Sequence, residues 1–381
     1  MLLYPQGQVV EQLLGRGHSV CAINCVSAVH PPSEPQAGEL SLEHIVGEKK
    51  LNLRAIQQLR DIIRKFRPDV IHAFTTFTLA WSLFATARMP RSQKRPSIVS
   101  FRGITRPLKR WDPSDWMSFQ HPRVAWHACE SEAVQQSMLR SGCDSKKCNV
   151  VYNCVTPATP CESREAIRAR WQLSNNDFVV GTVALIRPVK GVDILLESAI
   201  RLDNSRMRWV IIGSGNDPVT NELAQHPKIA KELRMLGKMN SAANYLHAFD
   251  LFVMPSRSEG LCRSLIEAME QGLPSVVSDA GGMKELIRHG QDGLIVPKES
   301  PAALAKAIQR LYEDEPLRRA MGESARTRAE ELCSSKVFTD RLEAIYHGVE
   351  EQKNRPSEQP LDYNFNSGDG LNKTLLAHAF S

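Results

Sequence analysis

The stretch MPSRSEGLCRSLIEAMEQGLPSVVSDAGGMKELIRHGQDGLIVP, residues 254–297, decides how this chain is read. An apolar strand-length run, Asp250–Met254, leads into it, and Ser275–Ser278 and Gly293–Val296 are two more. Between the first and second lie a loop, Glu259-Gly260-Leu261, and a helix-period segment starting near Arg263 or Ser264. Strand, helix and strand at this spacing predict a parallel sheet covered by helices. The junction of loop and helix has its own chemistry. A helix N-terminus offers unpaired backbone N–H groups and partial positive charge, which suit a phosphate. Gly260 lets the backbone approach a ligand closely. Glu259 and Glu267 can face one crevice, and each carboxylate accepts two hydroxyl hydrogens, as a sugar presents them. A local alternative stands beside this: Ser264-Leu265-Ile266-Glu267 fits the capping box S-x-x-E, in which Glu267 returns to the Ser264 N–H.

Outward from this stretch the same alternation continues. Strand candidates in the first half are Ser19–Asn24, Asp69–Phe74, Ser97–Phe101, Val124–Cys129 and Asn149–Tyr152. In the second half they are Phe178–Leu185, Arg208–Ile212 and the three runs above, with helices such as Leu51–Phe66, Val192–Leu202 and Ala302–Tyr312 between. Prolines and small residues over Thr156–Ser163 read as a linker. The prediction is two tandem Rossmann-like, doubly wound domains, 1–157 and 164–335, with ligands in the crevice beyond the strand C-termini. A helix over 336–352 is expected to pack back on the first domain, and 354–381 reads as a poorly ordered tail. The first strand is short, at most Met1–Tyr4, with Pro5-Gln6-Gly7 as its turn.

Composition agrees with a globular α/β chain. Of 381 residues, 42% are hydrophobic and 24% charged, and 48 Lys and Arg against 42 Asp and Glu give a net charge of +6. A mainly disordered, collagen-like or polytopic membrane chain is excluded. Nine cysteines without a C-x-x-C read as reduced thiols in a cytosolic protein, and Cys143, Cys148, Cys154 and Cys161 lack the paired spacing of a zinc site. The uncharged run Val70–Ala87 reads as a strand followed by a helix from near Thr76, not as a membrane span.

With E-G-x-x-x-x-x-x-E, G-x-P-x-V-x-S-D-x-G-G and G-x-D-G-x-x-V in order, the second half resembles the donor site of the GT-B glycosyltransferases, specifically the retaining family 4 enzymes. Similarity continues through VALIRPVKGVDILL, WVIIGSG, LGK and DLFVMPS, and in the first half through RPDVIHAF, SEAVQQSML and VVYNCV. The resemblance implies a GT-B fold and a nucleotide diphosphate-sugar donor, most readily a UDP-sugar, bound without a metal. It places Glu267 on the ribose and Glu259 with the backbone of Gly260, Leu261 and Cys262 on the donor sugar, with Ser264 beside them. Arg187 and Lys190 would meet the diphosphate, where negative charge builds as the nucleotide departs. The family's Arg sits five residues before the Lys, where this chain has Leu185; Arg187 sits three before. Gly213 and Gly215 would approach the nucleotide, and Gly237, Lys238 and Met239 the base. The read-out G-S-G-N-D-P lacks the third glycine of a dinucleotide fingerprint, and no D-x-D is present to bridge a metal.

On the acceptor side the candidates are Gln6 and Gly7, Arg102 and Gly103, and Ser131 and Glu132, the last two also being plain helix-cap residues. Many relatives carry His-Gly where this chain has Arg102-Gly103. Arginine cannot act as a base at neutral pH, though it can bind an anion. Arg88 to Arg110 holds eight basic residues and no acid, with Trp111, Trp116 and Phe119 following. Over 88–119 this suits an anionic membrane face or lipid-linked acceptor, an ordinary basic surface being the alternative; no nucleic-acid motif accompanies it. His121 and His127 read as structural. The function expected is a retaining glycosyltransferase acting on a glycan or lipid-linked acceptor, such as a bacterial envelope glycan like lipopolysaccharide, in the cytoplasm or at the inner membrane's cytoplasmic face. A non-catalytic nucleotide-sugar-binding relative and a nucleotide-sugar epimerase on the same fold are the alternatives.

Overall fold

The computed structural model describes residues 1–3, 7–26, 41–46, 52–87, 89–90, 93–109, 111–160, 162–202 and 204–354. Two parallel sheets result. The first contains β1 (Leu2–Leu3), β2 (Cys21–Val26), β3 (Ser41–Val46), β4 (Val70–Ala73), β5 (Ser97–Arg102), β6 (Val124–Cys129) and β7 (Cys148–Val150), in the order β3-β2-β1-β4-β5-β6-β7. The second contains β8 (Phe178–Val183), β9 (Met207–Ile212), β10 (Leu233–Gly237), β11 (Leu251–Met254), β12 (Ser275–Ser278) and β13 (Gly293–Val296), in the order β10-β9-β8-β11-β12-β13. Central strands such as β11 and β12 are buried at every position, as expected where helices cover both faces. Strand order reverses between β8 and β11, so the loops that follow these two strands part and leave a crevice. That crevice holds the site described below.

The chain crosses between the sheets twice. The second crossing falls at Ser334, between the helix Glu315–Cys333 and the helix Ser335–Asn354. Met321, Ala325, Ala329 and Cys333 join the core of the second sheet, whereas Phe338, Leu342, Ile345 and Val349 join that of the first. Arg16 binds Asp340 and Glu343, both at 2.5 Å, and His72 Nδ1 lies 2.7 Å from the Tyr346 hydroxyl. The last helix is thereby a working part of the first domain.

Two local expectations are corrected and a third is met. Strands β3 and β10 went unread. Both are sheet edges, and in SLEHIV and LRMLG charged residues interrupt the apolar run that marks a strand. The helix after the Glu259 loop begins at Arg263 with Cys262 as its N-cap, so Ser264 lies inside the helix and Glu267 is too far along to close a capping box. Val70–Ala87 divides into β4 and a helix, Thr76–Ala87, whose Leu79, Ala80 and Trp81 are fully buried. Among the described residues no helix is long and apolar enough to cross a membrane. The predicted tail lies outside the described residues from position 355 onward, Asn354 being the last residue of the final helix.

Candidate active site

The loop after β8 carries Arg187 and Lys190; the loop after β11 carries Glu259 to Cys262. Gly191 joins the first loop to its helix in the left-handed region (φ +65°), and a Cβ there would sit 2.1 Å from the Pro255 carbonyl oxygen. Only glycine lets the two loops touch. Across that contact Lys190 Nζ donates to Glu259 Oε1 at 2.5 Å, and Ser256 Oγ donates to the same oxygen at 2.9 Å. Glu259 is 9% exposed, and its Oε2 accepts no hydrogen bond from the described residues. Behind it Gly281 (φ +52°) lies against the Glu259 carbonyl, leaving a Cβ only 1.7 Å of clearance, while the Gly282 N–H donates to the Gly260 carbonyl at 3.0 Å. The S-D-A-G-G segment is the floor on which the Glu259 loop rests.

Arg257, two residues before Glu259, fastens the Lys190 loop. Its guanidinium donates to Pro188 O at 2.5 Å, to both oxygens of Asp193 at 2.9 and 2.7 Å, and to Glu299 at 3.0 Å; its backbone N–H donates to Val189 O. These carboxylates raise the Arg257 pKa, the Asp193 hydrogen bond most. The helix 263–270 points its N-terminus toward the same loop, with no side chain capping it. Burial raises the Cys262 thiol to about 12, so this cysteine is a neutral packing residue.

Other expected residues are placed as follows. Arg187 is exposed, and among the described residues its side chain makes no hydrogen bond or ion pair. Glu267 is half-buried and pairs with Arg263 at 3.2 Å; burial raises its pKa. The structure does not bring Glu267 into contact with Glu259. Gly213 and Gly215 abut the carbonyls of Ala184 and Ile186, and Ile186 bridges Gly215, so this turn supports the Arg187 loop. Gly237 O accepts from the Gly213 N–H at 2.8 Å; Lys238 is exposed and Met239 packs half-buried on the core.

In the first domain, Gln6 lies outside the described residues and Gly7 begins the helix Gly7–Gly15. Arg102 is turned inward rather than into the cleft: it is 2% exposed, donates to Arg106 O at 2.5 Å and lies 4.6 Å from the Phe119 ring centre. Gly103 does face the cleft. Ser131 caps the helix Glu132–Arg140 by accepting from Val134 N at 3.2 Å, so its hydroxyl is spent locally. The N–H groups of Glu132 and Ala133 donate to Glu285 of the second domain at 2.7 and 2.8 Å. His127 is buried against Ser100, and burial holds its pKa down to about 3. The basic stretch is partly neutralised: Lys94 pairs with Asp69 and Arg106 with Asp115.

Arg257 and Glu285 carry no sequence signal for these contacts, and neither does a third residue. Glu130, at the end of β6, reaches across the cleft and its Oε1 accepts from the Leu261 N–H at 2.9 Å. Nothing in the local pattern A-C-E-S-E marks it, because its partner is 131 positions away. Burial, less the help of that hydrogen bond, raises its carboxyl to about 8.

Two parallel-sheet domains that meet over loops at a strand-order reversal, with a lysine–carboxylate pair in the cleft, define the GT-B class. The family model described as Glycosyl transferases group 1 matches residues 163–328, and that described as Glycosyltransferase Family 4 matches 7–159. The chain belongs to the group 1 glycosyltransferases of GT-B fold. It is 27% identical to the capsular polysaccharide biosynthesis glycosyltransferase CapM of Staphylococcus aureus over 46% of this chain and 47% of that one. The chain spans about half the length of the first curated relatives it matches. Among solved structures, a glycosyltransferase from Rickettsia africae superposes with a TM-score of 0.73 at 18% identity, covering 91% of this chain and 94% of the other. Anabaena Alr3699/HepE in complex with UDP-glucose gives 0.71 at 18% identity, covering 92% and 98%.

Proposed function

We propose that this chain transfers a sugar from a nucleotide diphosphate-sugar, a UDP-sugar in the first instance, to a glycan or lipid-linked acceptor, with retention of anomeric configuration. The observation that carries the reading is the Lys190–Glu259 pair, set by Gly191 and Arg257 beside an uncapped helix N-terminus at the switch point. In the reaction the bond between the sugar's C1 and the diphosphate oxygen breaks, and a bond from C1 to the acceptor oxygen forms on the same face. The acceptor's proton passes to the departing phosphate. Lys190, with Arg187 brought in by its exposed loop, meets the charge that grows on that phosphate; no metal is assigned to the role. Glu259 keeps one oxygen free for a sugar hydroxyl while the other is held. Glu267 is the carboxylate proposed for the ribose, once Arg263 gives way to it.

An envelope glycan as product is supported by the likeness to a capsular polysaccharide enzyme. Exposed Ile104, Trp111 and Trp116 beside Lys109 support contact with an anionic membrane face. The test is a thermal-shift screen of the purified chain against nucleoside diphosphates and their sugars, followed by product analysis. A matching ligand raises the melting temperature by mass action, and Glu259→Ala retains the fold while losing transfer. No stabilisation by any nucleotide or nucleotide-sugar would overturn the reading.

A further inference from the structure

Glu130 belongs to the first domain, yet its carboxyl lies on the loop of the second domain that the proposed reaction assigns to the donor sugar. Room for it is made by two glycines, one from each domain. A Cβ on Gly103 would lie 2.8 Å from Glu130 Oε2, and one on Gly260 would lie 2.5 Å from Oε1 and 2.1 Å from the Gly103 carbonyl oxygen. The two carboxyl oxygens are not equivalent. Oε1 is committed to the Leu261 N–H, whereas Oε2 has no hydrogen-bond partner among the described residues. The residue is 9% exposed, and Oε2 is the carboxyl oxygen that stays open to a partner. The nearest cation, Lys190, is already engaged by Glu259. No other described side chain supplies a donor, so a group that enters the cleft is the partner Oε2 can take up. Phosphate is unsuited to a carboxyl site with Glu259 beside it. A hydroxyl suits it, because it donates to a carboxylate and accepts from a carboxylic acid.

We propose that Glu130 is a specificity-determining residue that contacts the donor sugar, anchored through Oε1 on Leu261 and pairing with a sugar hydroxyl through Oε2. This rests on the donor site proposed above. It makes the first domain a reader of the sugar, so that the hydroxyl pattern is sensed when the cleft closes and not when the nucleotide first binds.

The test separates the sugar from the nucleotide. Dissociation constants are measured by calorimetry for UDP and UDP-glucose, and for GDP and GDP-mannose, with the wild-type chain, Glu130→Gln and Glu130→Ala. Circular dichroism and melting temperature check that each variant is folded. The expected result is that the bare nucleotide binds all three within about two-fold, while the gain in affinity from adding the sugar falls roughly ten-fold or more in Glu130→Ala, the scale of one hydrogen bond to a charged or strongly polar group. Glu130→Gln falls between, because its amide can hold Leu261 with its oxygen but offers only a donor to the sugar. If the sugar's contribution is unchanged in both variants, Glu130 makes no sugar contact and the proposal fails while the donor site stands. If that contribution rises in Glu130→Ala, Glu130 competes with the sugar for the Leu261 N–H, and the proposal is again overturned. If the wild-type chain binds neither nucleotide nor nucleotide-sugar, the donor site itself is refuted and Glu130 has nothing to read.

Discussion

Replacing Arg257 with alanine should damage both stability and ligand binding, and the two effects should come apart in a double-mutant cycle. The guanidinium holds Asp193 through two hydrogen bonds and the Lys190 loop through Pro188 O. Asp193 is 7% exposed, so truncating its partner strands a buried carboxylate. Breaking a fully buried pair costs about 3–5 kcal/mol. The Arg257 side chain keeps 30% of its exposure, so water screens the site, and the position of Asp193 in the first turn of its helix returns about 0.5 kcal/mol. A loss of about 2 kcal/mol for Arg257→Ala follows from these terms. Asp193→Asn alone should cost less, and the double variant should recover about 1 kcal/mol of the sum because no charge is then left stranded.

Nucleotide affinity should behave differently. The hold on Pro188 is lost in Arg257→Ala whatever stands at 193, so Lys190 is mispositioned in both variants, and UDP affinity should fall roughly ten-fold in each, the worth of one charge-assisted hydrogen bond. Denaturant titration gives the stabilities and calorimetry the affinities. Strictly additive stabilities would show that Asp193 is not the reason Arg257 matters. Recovery of UDP affinity along with stability would refute the idea that Arg257 fixes the Lys190 loop.

Lys190→Ala should raise the dissociation constant for a nucleoside diphosphate more than ten-fold and leave Glu259 with only Ser256 as partner, a loss of about 2 kcal/mol by denaturant titration; affinity equal to wild type would remove Lys190 from the site. Gly281→Ala forces a left-handed backbone and a Cβ onto the Glu259 carbonyl, so about 2 kcal/mol of stability should go, with sugar-dependent affinity lost as the loop shifts. Glu130 gives a pH prediction. With the cleft shut its carboxyl lies near 8, whereas opening returns it to water and toward 4.5. Closing therefore takes up a proton; closure is strongest below about pH 4.5 and weakens as pH rises through 8. Glu259 and Lys190 face this group, and Glu285, which faces Glu132 and Tyr152, is shifted the same way. The radius of gyration by small-angle scattering should grow between pH 6 and pH 9 in the wild type and much less in Glu130→Gln; equal growth in both would sink this assignment.

The parts of the site that could be read from the sequence are those whose chemistry and partner lie in one stretch. Glu259-Gly260 at the end of a strand, Lys190-Gly191 at the start of a helix and the paired glycines 281 and 282 each announce a tight backbone and a charge. The parts that could not be read depend on partners far along the chain. Arg257 sits in the most informative stretch, but its value comes from Asp193 and Pro188 at separations of 64 and 69 residues. Glu130 is an isolated carboxylate until the first domain is laid on the second. Arg102 stands where a cleft residue was expected, yet Phe119 and the Arg106 carbonyl draw it inward. The capping-box pattern misled because Cys262 ends the loop two residues earlier than the S-x-x-E spacing implies. The missed strands were both edges, where a polar residue costs little and the apolar run that marks a strand is interrupted.

The way the domains meet bears on what the cleft can do. Hydrogen bonds across it among the described residues are few: Glu130 to Leu261, Glu285 to Glu132, Ala133 and Tyr152, and Thr105 with Ser258 at 3.3 Å. The closest packing is made by Gly103, Gly260 and Gly282, which bury almost no apolar side chain. Such a contact adds little free energy to the shut form. By contrast, the hinge side is firmly built. The chain passes between domains once after β7 and again at Ser334, and the helices on either side of Ser334 are each sunk into a different core. Two crossings make a line through them the natural axis for any rotation of one domain on the other. Rotation about that axis moves Gly103 and Glu130 on and off the Glu259 loop while leaving the Lys190–Glu259 pair, which lies within one domain, intact. On the proposed donor site, nucleotide recognition and sugar recognition would be separate events. The first would need only the second domain, and the second would wait on closure, where a weakly held interface would let the bound sugar decide whether the cleft stays shut.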